Sequence, residues 1–225
     1  SIESLTSLGT DSFGTGHANG MIYTWELDGK QLSSMRGDGG MVLSLDYDPK
    51  TNLLASGTVD GTVAVWDMET QEQTYQHHSH GGATRVVQFI EESMLCSGGD
   101  DDKIMLLDLN KDTKRTIDAM QGGITDVVHV DGSIASVGFN GNITLWSYPA
   151  FEKTSILRGH EDLIWAIDAL DKERFVTASQ DGSVRWWSAV PSAQTSHESR
   201  SKMPASDMAF IWNDVLVVVS EFDTD

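Results

Sequence analysis

A repeat of about forty residues is the feature of this sequence that most restricts its fold. Five segments align when they are stacked, and the residue that closes each segment falls at position 25, 66, 107, 146 and 187. The spacings between these positions are 41, 41, 39 and 41 residues. A fixed period of this size indicates a repeat architecture, in which each copy forms one supersecondary unit and buries its apolar face against its neighbours.

Each copy predicts a small antiparallel sheet. A β-branched run is followed by Asn-Gly or Asp-Gly, as at Asp60-Gly61, and then by an alternating run such as Thr62–Trp66. These dipeptides are a strong hairpin signal, and we expect a type I′ turn at each. Asp101-Asp102 in the third copy predicts a slightly different turn. An apolar run before the hairpin and a polar run after it complete four strands, with the polar strand outermost.

Most copies have a Ser or Thr, then Asp-Gly or Asn-Gly four residues later, and then a Trp that an acidic residue often follows. This pattern resembles the WD40 repeat of β-propeller proteins. Trp25-Glu26 and Trp66-Asp67 are examples of the closing pair. The resemblance implies an all-β fold, a WD40 β-propeller with five complete four-stranded blades and two strands of a sixth. A seven-bladed ring needs roughly 290 residues at this period, so we expect this chain to be part of such a ring.

The resemblance also implies one domain. We expect residues 1–225 to form a single WD40 propeller, with Ser206–Trp212 and Val215–Ser220 as the two strands of the partial blade. The expected blades are 1–38, 39–80, 81–121, 122–160 and 161–202, with the partial blade at 203–225.

A structural hydrogen-bond network in each blade is a further implication of the resemblance. In the fifth copy, His160, Thr177, Asp181 and Trp187 match the His, Ser or Thr, Asp and Trp of a WD40 blade. The other copies keep Ser56, Asp60 and Trp66; His80, Ser97 and Asp101; Ser136, Asn140 and Trp146; and Thr15, Asn19 and Trp25. The first, second and fourth copies have no aligned His, and Asp38-Gly39 stands where Gly-His would in the second.

The sequence carries no cofactor motif and no catalytic set. His77, His78 and His80 form its densest possible metal cluster, but no Cys accompanies them, and we expect one structural His with two solvated neighbours. Asp100–Asp102 lacks the spacing of a calcium loop. Cys96 is expected in the core. Because no nucleophile, base or metal set converges, we do not expect an enzyme.

The charge of the chain points to the kind of partner. Fifteen Lys and Arg stand against 34 Asp and Glu, a net charge of −19. This balance disfavours nucleic acid and anionic membranes and favours a basic peptide or protein. The single cysteine suits a reducing compartment, the cytoplasm or the nucleus. The longest apolar run, Val215–Val219, is far below the ~20 residues that span a bilayer.

The rim formed by the turns is the expected binding surface, because loops on a rigid scaffold commonly carry function. Phe139 and Trp165 are expected as aromatic anchors, although Trp165 can equally pack between blades. Asp100, Asp126, Glu161 and Asp162 are expected to form an acidic collar. The remaining candidates on this rim are Met41, Arg85 and Gln180.

These observations favour a non-catalytic protein–protein interaction scaffold that binds a basic partner within a larger multiprotein complex. One alternative is an architectural subunit whose incomplete propeller is closed by another chain or a missing segment. A second alternative is a ubiquitin-system adaptor, although readers of phosphorylated degrons need an Arg cluster and the rim offers little beyond Arg85 and Arg185.

Overall fold

The structure is a computed structural model that describes residues 1–37, 39–130 and 132–189, as well as the backbone of three strands at 197–200, 205–211 and 215–220. Asp38 and Trp212 therefore lie outside the described residues, as does much of the polar segment between the fifth sheet and the last pair of strands.

Twenty-two strands make up the described secondary structure, and each sheet is antiparallel with its strands in chain order. The first sheet contains β1 (Ile2–Ser7), β2 (Ser12–His17), β3 (Met21–Glu26) and β4 (Gln31–Arg36). The second contains β5 (Val42–Asp48), β6 (Leu53–Thr58), β7 (Thr62–Asp67) and β8 (Glu72–His78). The third contains β9 (Thr84–Glu91), β10 (Met94–Gly99), β11 (Lys103–Asp108) and β12 (Thr113–Asp118).

The later sheets follow the same plan. The fourth contains β13 (Ile124–Val130), β14 (Ser133–Gly138), β15 (Ile143–Ser147) and β16 (Lys153–Leu157). The fifth contains β17 (Ile164–Ala169), β18 (Arg174–Ser179), β19 (Ser183–Ser188) and β20 (His197–Arg200). A final pair contains β21 (Ala205–Ile211) and β22 (Val215–Ser220). The prediction of five complete four-stranded units and two strands of a sixth is confirmed.

The chain divides into two compact units, residues 1–120 and 121–225. The first unit holds the first three sheets, and the second holds the fourth and fifth sheets and the final pair. A single propeller over the whole chain stays a prediction.

Within each unit, adjacent sheets pack face to face. The residue at the closing Trp position of one sheet contacts apolar side chains of the sheet before it. In the first unit, Leu54 and Trp66 of the second sheet share a core with Ile22 and Met35 of the first. The second and third sheets repeat the arrangement, as do the fourth and fifth sheets in the second unit. The last strands of the first four sheets are largely exposed, so the polar fourth strand is the outer edge.

The turn between the second and third strands is not the expected type I′ turn. Three residues, Val59 to Gly61, connect β6 to β7, and Gly61 N donates to Thr58 O at 3.1 Å. Only Gly61 has a positive φ, 89°, whereas Asp60 does not. A type I turn followed by one left-handed residue fits this three-residue loop, because the dipeptide alone does not set the loop length.

The third sheet uses the same turn and not a different one. Asp102 has a φ of 62°, where the other four sheets have a glycine at φ between 70° and 89°. Its N–H donates to Gly99 O at 3.3 Å, as Gly61 donates to Thr58. Asp is among the non-glycine residues that tolerate this region best, so the fold keeps the turn without the glycine.

A second constraint on the turn glycine is a close approach between neighbouring sheets. A Cβ on Gly61 would lie 2.2 Å from His80 O and 2.7 Å from Gly82 O, in the segment that leads into the third sheet. Gly141 meets Asp162 O in the same way, at 2.7 Å. The hairpin of one sheet is therefore seated on the backbone that enters the next.

We predict that Gly61→Ala destabilises the protein far more than Gly29→Ala does. The two glycines have nearly equal φ angles, 89° and 91°, but nothing lies within 4 Å of a Cβ at Gly29. Gly29→Ala should therefore cost only the left-handed backbone, about 1–2 kcal/mol, and Gly61→Ala should cost about 2 kcal/mol more because of the clash. Urea unfolding of both variants measures the difference, and equal losses would contradict the close approach.

A carboxylate and a hydroxyl tie the first strands of the second and third sheets together. Phe89 N of β9 donates to Asp46 Oδ2 of β5 at 2.6 Å, and Val87 N donates to Ser44 Oγ at 3.1 Å. Burial raises the pKa of Asp46 to about 6, and the charge of Asp48 adds to this shift, although hydrogen bonds from Phe89 N and Tyr47 N act against it. The ionised form of Asp46 is thus held at a cost in the folded state.

We predict that Asp46 makes the protein more stable as the pH falls from 8 to 5. Its folded pKa, about 6, lies above the ordinary 3.8, so the folded state binds the proton more tightly and stability rises as the pH drops through 6. This group should contribute about 1 kcal/mol over that interval. Asp46→Asn should lack the contribution, so the difference between variant and parent in the free energy of unfolding should change by that amount; a constant difference would contradict it.

Candidate functional site

A relay of hydrogen bonds crosses the fifth sheet from the turn to the closing Trp. His160 Nδ1 lies 2.9 Å from Asp181 Oδ2, and His160 Nε2 lies 2.7 Å from Thr177 Oγ1. Trp187 Nε1 donates to the same Thr177 oxygen at 2.8 Å. Because a carboxylate only accepts, Nδ1 carries the proton, and the Thr177 hydroxyl donates to Nε2 while it accepts from the indole.

Asp181 accepts several hydrogen bonds at the end of this relay. Burial by itself would raise its pKa, but hydrogen bonds from the Ser183 hydroxyl, Glu161 N and His160 outweigh that effect and hold the pKa of Asp181 well below the ordinary value. Its carboxylate therefore stabilises the fold above pH 4, and this contribution is lost as the pH falls below that value.

In each of the five sheets, the turn between the second and third strands contains an Asp or Asn whose side chain accepts a hydrogen bond from the N–H two residues further along the chain. Asp60 Oδ1 accepts from Thr62 N at 3.2 Å, and Asp181 Oδ1 accepts from Ser183 N at 2.8 Å. Asn19, Asp101 and Asn140 do the same for Met21 N, Lys103 N and Asn142 N. This Asx bond closes over the left-handed residue, which explains why Asn and Asp are interchangeable here.

The second and third sheets each contain part of the relay. Trp66 Nε1 donates to Ser56 Oγ at 3.1 Å in the second sheet. In the third, His80 lies 2.9 Å from Asp101 Oδ1 and 2.8 Å from Ser97 Oγ. Leu107 holds the closing position there, so no indole reaches Ser97.

The fourth sheet has a substitute for the imidazole that sequence alignment missed. The Ser136 hydroxyl donates to Gln121 Oε1, and Trp146 Nε1 donates to Ser136 Oγ at 2.8 Å. The Gln121 amide donates in turn to Ser136 O and Asn142 O, both at 3.0 Å. His160 stands 27 residues before Trp187, whereas Gln121 stands only 25 before Trp146, so a fixed offset falls on Ala119.

The first sheet also has its own histidine, from a different position. His17 Nε2 lies 3.0 Å from Thr15 Oγ1, and Trp25 Nε1 donates to the same oxygen at 2.8 Å. His17 belongs to β2 itself and not to the segment before the sheet. The absence of an aligned His therefore did not mean the absence of an imidazole.

The first strand of each of the five sheets has a β-bulge close to its beginning. Near the start of this strand, the pairing with the second strand skips one residue in each sheet. The skipped residues are Glu3, Leu43, Arg85, Thr125 and Trp165. In the last four sheets, the residue before the turn Asp or Asn donates its N–H to the carbonyl of the residue that precedes the first strand, as Gln180 N does to Leu163 O at 2.9 Å.

The third and fifth sheets show how a bulged residue meets the residue before the turn. Arg85 donates through Nε and Nη2 to the two carboxylate oxygens of Asp100, with Nη2 at 3.1 Å from Oδ2. Trp165 Nε1 donates to Gln180 Oε1 at 2.8 Å, and its side chain is half-buried. Arg85 and Asp100 thus engage each other, which reduces their contribution to an acidic collar.

Phe139 lies on the rim of the fourth sheet with 37% of its surface exposed. Its ring packs on Gly123, where a Cβ would lie 2.8 Å from a ring carbon. Exposed Glu161 and Asp162 follow in the segment that enters the fifth sheet, against which the hairpin at Gly141 is packed. We define the rim surface as Phe139, Glu161, Asp162, Trp165 and Gln180, all within the second unit.

Asp126, which is expected in the acidic collar, accepts two backbone hydrogen bonds, and its role in binding a partner stays a prediction. Its Oδ2 accepts from Ile167 N of the fifth sheet at 2.9 Å, and its Oδ1 accepts from Val127 N at 2.8 Å. Asp126 follows the bulged Thr125, so its side chain points along the seam between two sheets. Met41 is partly buried, and its carbonyl oxygen accepts a hydrogen bond from Val59 N at 2.9 Å. Neither residue belongs to the rim surface.

The remaining candidates do not come together as a metal or reactive site. His80 is buried in the relay, and His77 Nε2 lies 2.8 Å from Lys114 Nζ. Within the described residues, no group of three or more His, Cys, Asp or Glu side chains could hold a metal ion. Cys96 is fully buried, and burial raises the pKa of its thiol to about 12. Nor does the described part of the chain contain a helix long and apolar enough to cross a membrane.

Comparison with known proteins finds similarity to WD-repeat proteins. The model of the family "WD domain, G-beta repeat" matches residues 29–67 and 151–188. The chain is 27% identical over 177 residues to the WD repeat-containing protein srw1 of Schizosaccharomyces pombe, covering 75% of this chain and 31% of that protein. It is 29% identical over 151 residues to the ribosome biogenesis protein YTM1 of Saccharomyces cerevisiae, covering 66% of this chain and 29% of that protein.

A solved structure shares the fold. The crystal structure of RRP9 WD40 repeats superposes with a TM-score of 0.87 at 18% identity, covering 98% of this chain and 73% of that one. At this identity the likeness shows the fold alone. The chain spans about 30% of the length of srw1 and YTM1.

We predict that Gln121→Met destabilises the protein by about 2–3 kcal/mol. The change keeps the side-chain length but removes the hydrogen bonds to the Ser136 hydroxyl and to two carbonyl groups, in a place with 1% exposure. Gln31→Met, on the exposed strand β4, is the matched control and should change stability by less than about 0.5 kcal/mol. Thermal or urea unfolding measures both; similar losses would show that the amide is not part of the relay.

Proposed function

Because this chain belongs to the WD40-repeat family, we propose that it is a non-catalytic protein-interaction scaffold and a subunit of a larger multiprotein assembly. The observation that most supports this function is the composition of the rim surface. Two partly exposed aromatic side chains, Phe139 and Trp165, lie on segments next to the two exposed carboxylates of Glu161 and Asp162. Aromatic anchors with a charged border are typical of protein interfaces.

The other polar groups of the sheets are already used. The relay hydroxyls, the imidazoles of His80 and His160 and the turn carboxylates make hydrogen bonds inside the scaffold. The thiol of Cys96 is buried and protonated at neutral pH. A partner would thus meet the rim side chains, and the interior would supply rigidity.

A basic peptide or protein segment is the partner that suits the rim surface. Carboxylates at Glu161 and Asp162 attract Lys or Arg, and an Arg guanidinium also stacks well on an indole such as that of Trp165. The net charge of −19 adds a long-range attraction for such a partner and disfavours direct contact with nucleic acid.

An assembly that acts in ribosome biogenesis, and therefore a nuclear location, is the setting we propose. The name of the relative YTM1, a ribosome biogenesis protein, supports this choice. The two alternatives, a propeller closed by another chain and a ubiquitin-system adaptor, stay predictions.

We predict that Lys- and Arg-rich peptides bind the chain and that two charge reversals on the rim weaken this binding at least about tenfold. The measurement is isothermal titration calorimetry with basic peptides. The control peptides are acidic, with every Lys and Arg of the basic peptides replaced by Glu. The test variant is Glu161→Lys with Asp162→Lys. Trp165→Ala should also weaken binding, because it removes the aromatic anchor.

A matched control separates position from net charge. Glu72→Lys with Asp118→Lys changes the charge by the same amount on the exposed outer strands β8 and β12 of the first unit. This control should weaken binding by less than about threefold, the effect of net charge alone. Equal losses in the two double variants, or binding of the acidic peptides, would contradict the proposed surface.

A further inference from the structure

A groove of about 500 Å³ lies between the second and third sheets, within the first unit and beside their outer strands. Its lining is formed by residues 74–77 of β8, by Leu107 of β11, by Asp112 in the turn before β12, and by Lys114 of β12. We call it the outer groove. Its volume is typical of sites that bind small ligands, about 300–1,000 Å³, and it shares no residue with the rim surface.

Two opposite charges stand at the edge of the outer groove. Lys114 supplies an ammonium group and Asp112 supplies a carboxylate, and both residues are exposed. Among the described residues, no ion pair joins these two side chains, and the Asp112 carboxylate accepts no hydrogen bond. The outer groove therefore presents a positive and a negative group that do not neutralise each other by direct contact.

A hydrogen bond between the two sheets positions the ammonium group. Lys114 Nζ donates to His77 Nε2 at 2.8 Å, and His77 belongs to the outer strand of the second sheet. An ammonium has three N–H groups, so two of them remain for a ligand. Because the imidazole accepts at Nε2, it is neutral in this arrangement and adds no second positive charge. The cationic side of the outer groove thus offers one positive charge and two donors.

The aromatic ring of Tyr75 forms a wall of the outer groove. It is half-buried and packs against the apolar cluster that the second and third sheets share. Burial and, to a smaller extent, the charge of Asp112 raise the pKa of Tyr75, so its hydroxyl stays neutral. The Asp112 carboxylate is therefore near the polar end of this ring. Such a ring offers apolar and aromatic contact to a ligand that the charges hold in place.

A ligand with a single charge does not match this arrangement. An anion is attracted by Lys114 but repelled by Asp112, and a cation meets the reverse combination. A zwitterion satisfies both groups at once. An α-amino acid carries its ammonium and its carboxylate on one carbon atom, and its side chain is then available to pack on a neighbouring ring.

We propose that the outer groove binds a free α-amino acid with an aromatic side chain. The carboxylate of the ligand lies on Lys114, its ammonium lies on Asp112, and its ring packs against Tyr75. An amino acid within a peptide chain has lost both charges, so the ligand is a small molecule and not an internal segment of a partner protein.

The test compares three molecules that share a phenyl ring on a short chain, and it uses the whole 225-residue chain. L-Phenylalanine carries both charges, 3-phenylpropionate lacks the ammonium, and phenethylamine lacks the carboxylate. Titration followed by NMR should show saturable binding of L-phenylalanine with a dissociation constant of about 1 mM, as expected for a molecule of this size. Each of the other two should bind about fivefold more weakly, because it loses one exposed ion pair.

Two variants at exposed positions assign each charge of the ligand to its residue. Asp112→Asn should remove the preference for L-phenylalanine over 3-phenylpropionate, and Lys114→Met should remove the preference over phenethylamine. Lys111→Met is the matched control, because Lys111 pairs with Asp108 outside the outer groove and its loss changes the net charge as Lys114→Met does. This control should leave all three affinities unchanged.

Three results would overturn the proposal. They are the absence of saturable binding of L-phenylalanine, equal binding of L-phenylalanine and either analogue, and an unchanged preference in Asp112→Asn or Lys114→Met. The outcome does not depend on the experiment with basic peptides, because no residue of the rim surface takes part.

Discussion

Each of the five four-stranded sheets depends on the hydrogen bonds of one hydroxyl group that is buried on its second strand. These hydroxyls belong to Thr15, Ser56, Ser97, Ser136 and Thr177, and none is more than 2% exposed. A buried hydroxyl without partners is costly, so the surrounding chain has to supply them. The supplier changes from sheet to sheet: an imidazole before the sheet for Ser97 and Thr177, an imidazole on the strand for Thr15, the amide of Gln121 for Ser136, and the indole of Trp66 for Ser56. The requirement stays the same while the residue type varies.

The acidic character of the chain has two separate parts. Some carboxylates are structural, since Asp46 and Asp126 accept N–H groups from neighbouring sheets and Asp181 holds a turn and an imidazole. Glu161 and Asp162 keep exposed side chains. Net charge alone does not separate these parts, and only the exposed part is available to a partner. Part of the net charge of −19 is therefore used inside the fold and does not serve recognition.

The repeat period was enough to predict the sheets, because an apolar run, a turn dipeptide and a polar run recur at nearly constant spacing. Three details escaped prediction for physical reasons. The dipeptide Asp60-Gly61 does not reveal that the loop has three residues. Gln121 was hidden because the fourth repeat is two residues shorter before its Trp. The position of Asp126 depends on a bulge at Thr125, and a shift of one residue turns every following side chain to the other face.

The two ends of the sheets differ in how much change they can accept. At one end, the hairpins at Gly61 and Gly141 are pressed against the backbone that enters the next sheet. At the other end, Gly9, Gly29 and Gly132 stand in turns where nothing approaches a Cβ within 4 Å. An epitope tag or a fluorescent label belongs in the second group of turns, and natural length variation among repeats of this kind should accumulate there, because added residues would extend into solvent without separating one sheet from the next.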